Sequence, residues 1–206
     1  DMKDRKWTPI GTKDNQFVGL CFGGGHTISN LKCDTSSSRA GIFGSIGIKT
    51  EIHDINLGKG SSIKGINAVG GIVGCVENQS GIEGTAIISG CMNYGTITAE
   101  YNAGGILGAQ YFDSEIRLTI NNCCNHGTVT GTQQGESGTI SGYVKDGTIV
   151  TGCWNDGTVT GFDKGKSFVR YTNNISVHNC YQYEGLVEVN QALAQNNVET
   201  YSNKEL

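Results

Sequence analysis

The sequence predicts an all-β fold, a β-solenoid of about six stacked coils with three short strands in each coil. A short motif recurs at intervals within the roughly 20 to 50 residues that are typical of solenoids, propellers and arrays. Glycine is abundant, with 32 residues, whereas proline occurs once, which excludes a collagen-like chain and a proline-rich linker. The apolar segments are short, rich in β-branched residues and separated by Gly, Asn or Ser turns, as strands are.

The first recurring element is an aliphatic residue, two polar residues, and then Leu, Ile or Cys. Its copies begin at Ile28, Ile52, Ile88, Ile120, Val150 and Val177. In the last four copies the closing residue is a cysteine, namely Cys91, Cys123, Cys153 or Cys180. We expect these cysteines to be stacked, buried, free thiols that replace Leu31 and Ile55 of the earlier copies, because cysteine packs as a small apolar side chain.

Two further elements follow within each repeat. Gly-Ile-x-Gly stands at 41–44, 71–74 and 105–108, and more loosely at 139–142; Gly-Thr-Ile/Val-Thr stands at 95–98, 127–130 and 157–160, with a weaker copy at 62–64. Repeat lengths vary while these segments persist, which indicates stacked coils with insertions in the loops. The pattern places Ile88, Cys91, Ile97 and Ile106 inside, with their equivalents in the other coils.

Asparagines recur two residues after three of these cysteines, as Asn93, Asn125 and Asn155. Stacked asparagines can satisfy turn backbone groups and one another, so we expect an amide ladder.

The repeat pattern stops near residue 186. The sequence therefore predicts a β-helix repeat domain over 1–185 and a C-terminal cap or linker over 186–206. Within the second part, residues 189–198 suit a short helix or an extended tail. The chain opens with Asp1 and has no visible signal peptide, so we expect it to be part of a larger chain.

The composition restricts the classes of partner. The net charge is −4 with no basic stripe, so we do not expect nucleic acid to bind. No apolar run approaches the roughly 20 residues that span a bilayer, so we expect no membrane insertion of this segment. The eight cysteines contain no Cys-x-x-Cys pair, and the adjacent Cys123 and Cys124 do not suit a tetrahedral zinc site. We predict neither a metal nor a cofactor.

Several of these motifs resemble the GLUG-type repeats of large exported and surface proteins of bacteria, including adhesins and the non-catalytic parts of immunoglobulin A proteases. The similar segments are 7–11 (Trp-Thr-Pro-Ile-Gly), 25–31, 41–44, 70–74 and 179–181, and the resemblance covers roughly residues 5–183. Members usually carry Phe-Asp-Gly before the Gly-His-Thr-Ile segment, where this chain has Cys21-Phe22-Gly23. The resemblance implies a right-handed parallel β-helix, a location outside the cell or on its surface, and no catalytic activity.

We therefore expect a non-catalytic module with an adhesin-like binding role or a spacer or display role, whose partner is a host glycan or protein. The candidate binding residues, which we call the outward stripe, are Met92, Tyr94, Trp154, Tyr181 and Tyr183. Strand alternation turns them outward if the cysteines point inward. Cys124, His126 and Asp156 occupy the same two positions of their coils.

Two alternatives remain open. A carbohydrate-active β-helix enzyme, a polysaccharide lyase or hydrolase, needs clustered carboxylates on one outward face. The candidates are Glu51, Asp54, Glu83, Asp113, Glu115, Asp146, Asp156 and Asp163, and they do not share equivalent positions in adjacent coils. The four histidines are scattered, and there is no Gly-x-Ser-x-Gly nucleophile motif. Ice binding is the other alternative, because the three Thr-x-Thr units place two threonines outward per coil.

Overall fold

The computed structural model describes residues 1–3, 5–36, 38–78, 81–111, 115–133, 135–161, 166–171, 174–183 and 198–201. Within these ranges the chain forms only strands, turns and bends, so the all-β prediction is confirmed. Every strand pairs in parallel with the equivalent strand of the next coil, which makes the molecule a right-handed parallel β-helix. In this part of the chain, no helix is long and apolar enough to cross a bilayer.

The solenoid has four faces, each formed by one sheet. Face 1 consists of β1 (Leu20–Phe22), β5 (Thr50–His53), β10 (Gly84–Ser89), β15 (Ile116–Asn121), β19 (Ile149–Thr151) and β23 (Ser176–His178). Face 2 consists of β2 (Thr27–Ile28), β6 (Asn56–Leu57), β11 (Met92–Asn93), β16 (Cys124–Asn125), β20 (Trp154–Asn155), β24 (Cys180–Tyr183) and β25 (Val198–Tyr201).

Face 3 consists of β3 (Lys32–Asp34), β7 (Ser62–Gly65), β12 (Thr96–Ala99), β17 (Thr128–Gly131) and β21 (Thr158–Gly161). Face 4 consists of β4 (Phe43–Ile46), β8 (Val69–Gly70), β9 (Val73–Val76), β13 (Ala103–Gly104), β14 (Leu107–Gln110), β18 (Ser137–Val144) and β22 (Lys166–Tyr171). Five coils carry a strand on every face, and a sixth contributes β23 and β24, so the complete coils are slightly fewer than the predicted six.

The number of strands per coil differs from the predicted three, because a corner divides the first recurring element between faces 1 and 2. The corner residue adopts a left-handed conformation in successive coils, with φ of 62° at Gly90, 52° at Asn122 and 64° at Gly152. Glycine and asparagine tolerate this conformation better than other residues do. The face 1 strand therefore ends two residues before Cys91, Cys123 and Cys153, and a two-residue strand of face 2 begins directly after each of these cysteines.

The first coil also departs from the predicted alignment. Cys21 pairs with Ile52, and Ile28 pairs with Leu57 of face 2. The segment that begins at Ile28 is therefore not equivalent to the one that begins at Ile52. Leu31 precedes the pairing of Lys32 with Ser62, so it is buried at the corner between faces 2 and 3 and is not the counterpart of Cys91.

Columns of like apolar residues fill the interior. On face 1 the column runs through Ile52, Ile88, Ile120, Val150 and Val177, which are paired in register and fully buried. Ile88, Cys91, Ile97 and Ile106 are each 0% exposed, as predicted. One coil alone could not bury these side chains, and each such burial stabilises the fold by about 1.5–3 kcal/mol.

The C-terminal strand β25 pairs in parallel with β24 and so extends face 2. Of the segment predicted as a short helix or extended tail, only Val198 belongs to the described residues, and it lies in β25. Residues 189–197 lie outside them, so the helix is not tested.

Candidate functional site

The outer surface of face 2 carries two parallel rows of side chains. In the first row, Met92 pairs with Cys124, Cys124 with Trp154, and Trp154 with Tyr181. The second row lies two residues further along each strand and contains Tyr94, His126, Asp156 and Tyr183. Successive members are about 4.8 Å apart, as strands of one sheet are. The pairing thus brings all five residues of the outward stripe onto one surface.

The outward stripe is half-buried, because its side chains pack on one another along the solenoid axis. At one end the Tyr94 hydroxyl donates to Met92 Sδ over 3.6 Å. At the other end the Trp154 ring lies 6.4 Å from the ring of Tyr181 and 6.2 Å, edge-on, from that of Tyr183. The stripe thus forms two apolar groups with a polar part between them.

That polar part, which we call the polar centre, consists of Cys124, His126 and Asp156. His126 Nε2 lies 3.1 Å from Cys124 Sγ, and His126 Nδ1 lies 2.5 Å from Asp156 Oδ1. The Tyr94 ring stacks on the imidazole with centroids 4.5 Å apart. Burial, and secondarily the Asp156 charge, raises the pKa of the Cys124 thiol to about 12. The sequence analysis placed these residues in the two rows but missed their mutual contact.

A buried asparagine ladder supports the rows from inside. Asn93 Nδ2 donates to Asn125 Oδ1 over 2.8 Å, and Asn125 Nδ2 donates to Asn155 Oδ1 over 3.0 Å. The backbone N–H of Gly95 donates to Asn93 Oδ1, which fixes the turn after β11. The predicted amide ladder is therefore present, and it holds each face 2 strand in register with the next.

The predicted cysteine column lies at the corner before face 2. Cys91, Cys123, Cys153 and Cys180 are at most 1% exposed, and the structure contains them as free thiols. Each thiol donates to a carbonyl two residues earlier, as Cys91 does to Ser89 over 3.3 Å. Burial raises the pKa of Cys123 above its ordinary value. These thiols are packing groups with satisfied hydrogen bonds.

The threonines of face 3 are aligned in register over three coils. Their hydroxyls bond to each other, with 2.8 Å between Thr130 and Thr160 and 3.3 Å between Thr158 and Thr128. Hydroxyls that are paired within the sheet have less capacity for an external lattice of water. Ice binding therefore gains no support beyond the alignment itself.

The carboxylates proposed for an enzyme mostly pair with cationic or histidine side chains. Glu51 contacts His53 at 3.0 Å, Glu83 contacts Arg117 at 3.7 Å, and Glu115 contacts Lys145 at 3.5 Å. Asp54 lies at a corner and Asp146 in a turn, whereas Asp113 and Asp163 lie outside the described residues. Within the described ranges, no group of three His, Cys, Asp or Glu residues is arranged to hold a metal ion.

One groove contains two carboxylates that the sequence analysis did not select. Asp34 and Glu100 line it together with Lys64, at the corner where face 3 turns into face 4, and its volume is about 350 Å³. Asp34 and Lys64 are paired across β3 and β7. The sequence offered little indication of this pair of carboxylates. Asp34 is the last residue of β3, whereas Glu100 comes directly after β12 of a later coil.

No protein-family model matches the chain. Over 95 residues, 45% of this chain, it is 34% identical to halomucin from Haloquadratum walsbyi, and the match spans 1% of that protein. The fold is similar to the crystal structure of a "putative immunoglobulin A1 protease" from Bacteroides ovatus, with a TM-score of 0.55 and 19% identity over 97% of this chain and 60% of that one. At this identity the likeness concerns the β-solenoid fold alone.

Proposed function

We propose that this chain is a β-helix module of a cell-surface or secreted protein, and that it binds a host glycan or protein through the outward stripe. The observation that carries the proposal is the alignment of Met92, Trp154 and Tyr181 in one row of face 2. Aromatic side chains combine a flat apolar body with a polar edge, which suits the faces of sugar rings and the centres of protein interfaces.

The comparisons support the proposed location. Halomucin is 34% identical to this chain over 95 residues. The matching solenoid belongs to a protein named for activity on an immunoglobulin. We include in this proposal that the repeats are GLUG-type repeats and that the module has the adhesin role which this resemblance implies. Repeat proteins commonly bind through extended surfaces made of equivalent positions, and face 2 provides one.

Two substitutions test the proposal, Trp154→Ala and Tyr181→Ala. Binding is measured on a glycan array and on mucin-coated and immunoglobulin-coated surfaces. We expect each change to weaken binding by about 1 kcal/mol or more, the scale of a minor hot spot. The free energy of unfolding should fall by no more than about 1–2 kcal/mol, because both side chains are only half-buried. Phe22→Ala is the matched control, since Phe22 is an aromatic residue on face 1 that is 66% exposed.

The opposite result would mean that the aromatic side chains of face 2 have a structural role and no binding role. If both changes lower the free energy of unfolding by several kcal/mol and leave binding intact, the aromatic side chains serve packing between coils. The module would then act as a spacer or display platform, and binding would have to be sought elsewhere on it.

The groove at the corner of faces 3 and 4 favours a second candidate function, a polysaccharide lyase or hydrolase. Asp34 and Glu100 could act as the acid–base pair, with Lys64 beside them to bind an anionic sugar. The test is depolymerisation of a panel of anionic and neutral polysaccharides by the wild type, Asp34→Asn and Glu100→Gln. Absence of new chain ends with the wild type would reject this candidate, and activity lost in both variants would support it.

A further inference from the structure

The adjacent Cys123 and Cys124 point to opposite sides of the solenoid wall. Cys123 belongs to the interior column and is 1% exposed, whereas Cys124 lies in the outer row of face 2 and keeps 8% exposure. Among the eight cysteines, Cys21 is half-buried and the other seven are buried. Among those seven, Cys124 keeps the largest exposed fraction, and it lies on the outer side of the wall, the side from which a reagent in solution approaches the folded chain.

The polar centre has the connectivity of a thiol, a base and an orienting carboxylate. The Asp156 carboxylate can only accept, so the proton between it and the ring belongs to His126 Nδ1. In the neutral ring Nε2 is then an acceptor, and it faces Cys124 Sγ at 3.1 Å. This chain of contacts is the signature of an activated nucleophile.

The β-helix holds these three side chains in place. Cys124 and His126 are two residues apart, so alternation puts both on the outer side. Backbone bonds place Asp156 in the next coil, since its N–H donates to Asn125 O over 3.2 Å. The Tyr94 ring covers the imidazole at an interplanar angle of 14°. The imidazole is therefore oriented by groups from the coils on both sides.

We propose that Cys124 is a nucleophilic thiol at which carbon electrophiles modify this chain covalently, with His126 as the base and Asp156 orienting it. Cys124 Sγ forms a bond to the electrophilic carbon, and the bond from that carbon to its leaving group breaks. The thiol proton moves to His126 Nε2 and then to solvent, and the leaving group departs with its electron pair. The step needs no oxidant or reductant, and it goes beyond the proposed binding function because it requires no partner on the outward stripe.

The pH dependence of this reaction differs from that of a simple thiol. With the pKa of Cys124 raised to about 12 by burial and the Asp156 charge, free thiolate is scarce near neutral pH. The groups that face His126 among the described residues are Cys124, Asp156 and Tyr94, with Cys153 acting on Cys124 from inside. Reaction through the relay passes the thiol proton to His126 Nε2, so its rate does not depend on the amount of free thiolate.

The test is the rate of alkylation by iodoacetamide in the full chain, with Cys21→Ser as background. Site-resolved mass spectrometry separates Cys124 from Cys123 between pH 5.5 and 9. We expect the rate at Cys124 to level off within this pH range, well below the thiol pKa of about 12, because His126 rather than hydroxide takes the proton. His126→Gln should lower the rate at neutral pH by at least about tenfold, and Asp156→Asn should lower it less. His178→Gln, a histidine change on face 1, should have no effect.

Two results would overturn the proposal. One is a rate at Cys124 that rises tenfold per pH unit up to pH 9 in the wild type, as free thiolate requires. The other is a wild-type chain, with Cys21 present, in which Cys21 is alkylated while Cys124 stays unmodified in the folded state. Circular dichroism checks that each variant folds. If His126→Gln does not fold, the pH dependence of the alkylation rate at Cys124 in the wild type decides the question.

Discussion

Asn125 shows how a single side chain stabilises several coils. It is 0% exposed, accepts a hydrogen bond from Asn93 and donates one to Asn155. Its Nδ2 also lies 3.3 Å from the Gly127 carbonyl oxygen of its own turn. A buried amide bonded in this way specifies the register of face 2, and its loss leaves partners on both sides unsatisfied.

Asn125→Ala should therefore lower the free energy of unfolding by about 2–4 kcal/mol, because two buried amides lose a partner. Urea unfolding followed by circular dichroism measures it. Asn15→Ala, at an exposed turn residue, is the control and should change stability by less than about 0.5 kcal/mol. If the two variants were equally stable, the hydrogen bonds of Asn125 would contribute nothing measurable to the free energy of unfolding.

Sequence reasoning at this scale identified the rows but not the polar centre. The two rows were predictable because an asparagine recurs two residues after Cys91, Cys123 and Cys153, which aligns the residues on either side of it. The contact of His126 with Asp156 was not, because the two residues are separated by a full coil and meet only through the pairing of β16 with β20. The Cys-x-His spacing of Cys124 and His126 was the available signal, since residues two apart on a strand share a side.

The strands of face 4 depend on glycines at which neighbouring backbones come into close contact. A Cβ atom on Gly108 would lie 2.3 Å from the carbonyl carbon of Ala68 and from the backbone nitrogen of Val69. Gly74 and Gly142 are similarly enclosed by backbone atoms. The recurrence of Gly-Ile-x-Gly thus reflects a steric requirement of the sharp bend on this face.

Gly108→Ala should cost about 3 kcal/mol or more, because rigid backbone rather than a flexible side chain must move. Gly47→Ala is the matched control: its Cβ would meet only the side chains of Val18 and Gln16, at 3.2 and 3.3 Å. Thermal unfolding of both variants measures the difference. A Gly108→Ala protein as stable as Gly47→Ala would contradict the steric explanation.

At the level of elements, the alternation of apolar residues predicted the inward columns, but it did not predict every boundary. The corner at Gly90, Asn122 and Gly152 was visible as residues that tolerate a positive φ, yet the spacing alone allowed one continuous strand across it. In the first coil Cys21 takes the place of the aliphatic residue. The sequence pattern selected Ile28 instead, because Ile28 is aliphatic and Cys21 is not. The pairing of Cys21 with Ile52 and of Ile28 with Leu57 shows that this alignment was wrong.

At the scale of the whole molecule, the interior contains acidic groups that the fold keeps protonated. Burial, with a smaller effect of Asp34, raises the pKa of Cys33 to about 11. Burial also raises the pKa of Tyr111 to about 12. Ordinary thiols and phenols titrate at about 8.5 and 10. Native and unfolded chains therefore bind different numbers of protons in alkaline solution.

The free energy of unfolding should consequently fall with rising alkaline pH. Above about pH 8.5 the unfolded chain releases thiol protons that the native chain retains, so unfolding becomes more favourable as pH increases. The contribution of Cys33 is complete below the unfolded pKa and is lost as pH approaches its folded pKa of about 11. Urea midpoints at pH 7.5 and pH 10, with reductant present, measure the change.

Cys33→Ala serves as the control, because the net charge of −4 also grows more negative with rising pH. The urea midpoint of this variant should drop less than that of the wild type. Equal drops would show that the raised pKa of Cys33 does not contribute to the alkaline loss. A wild-type midpoint that does not move would show that these acidic groups are as accessible to solvent in the folded chain as in the unfolded one.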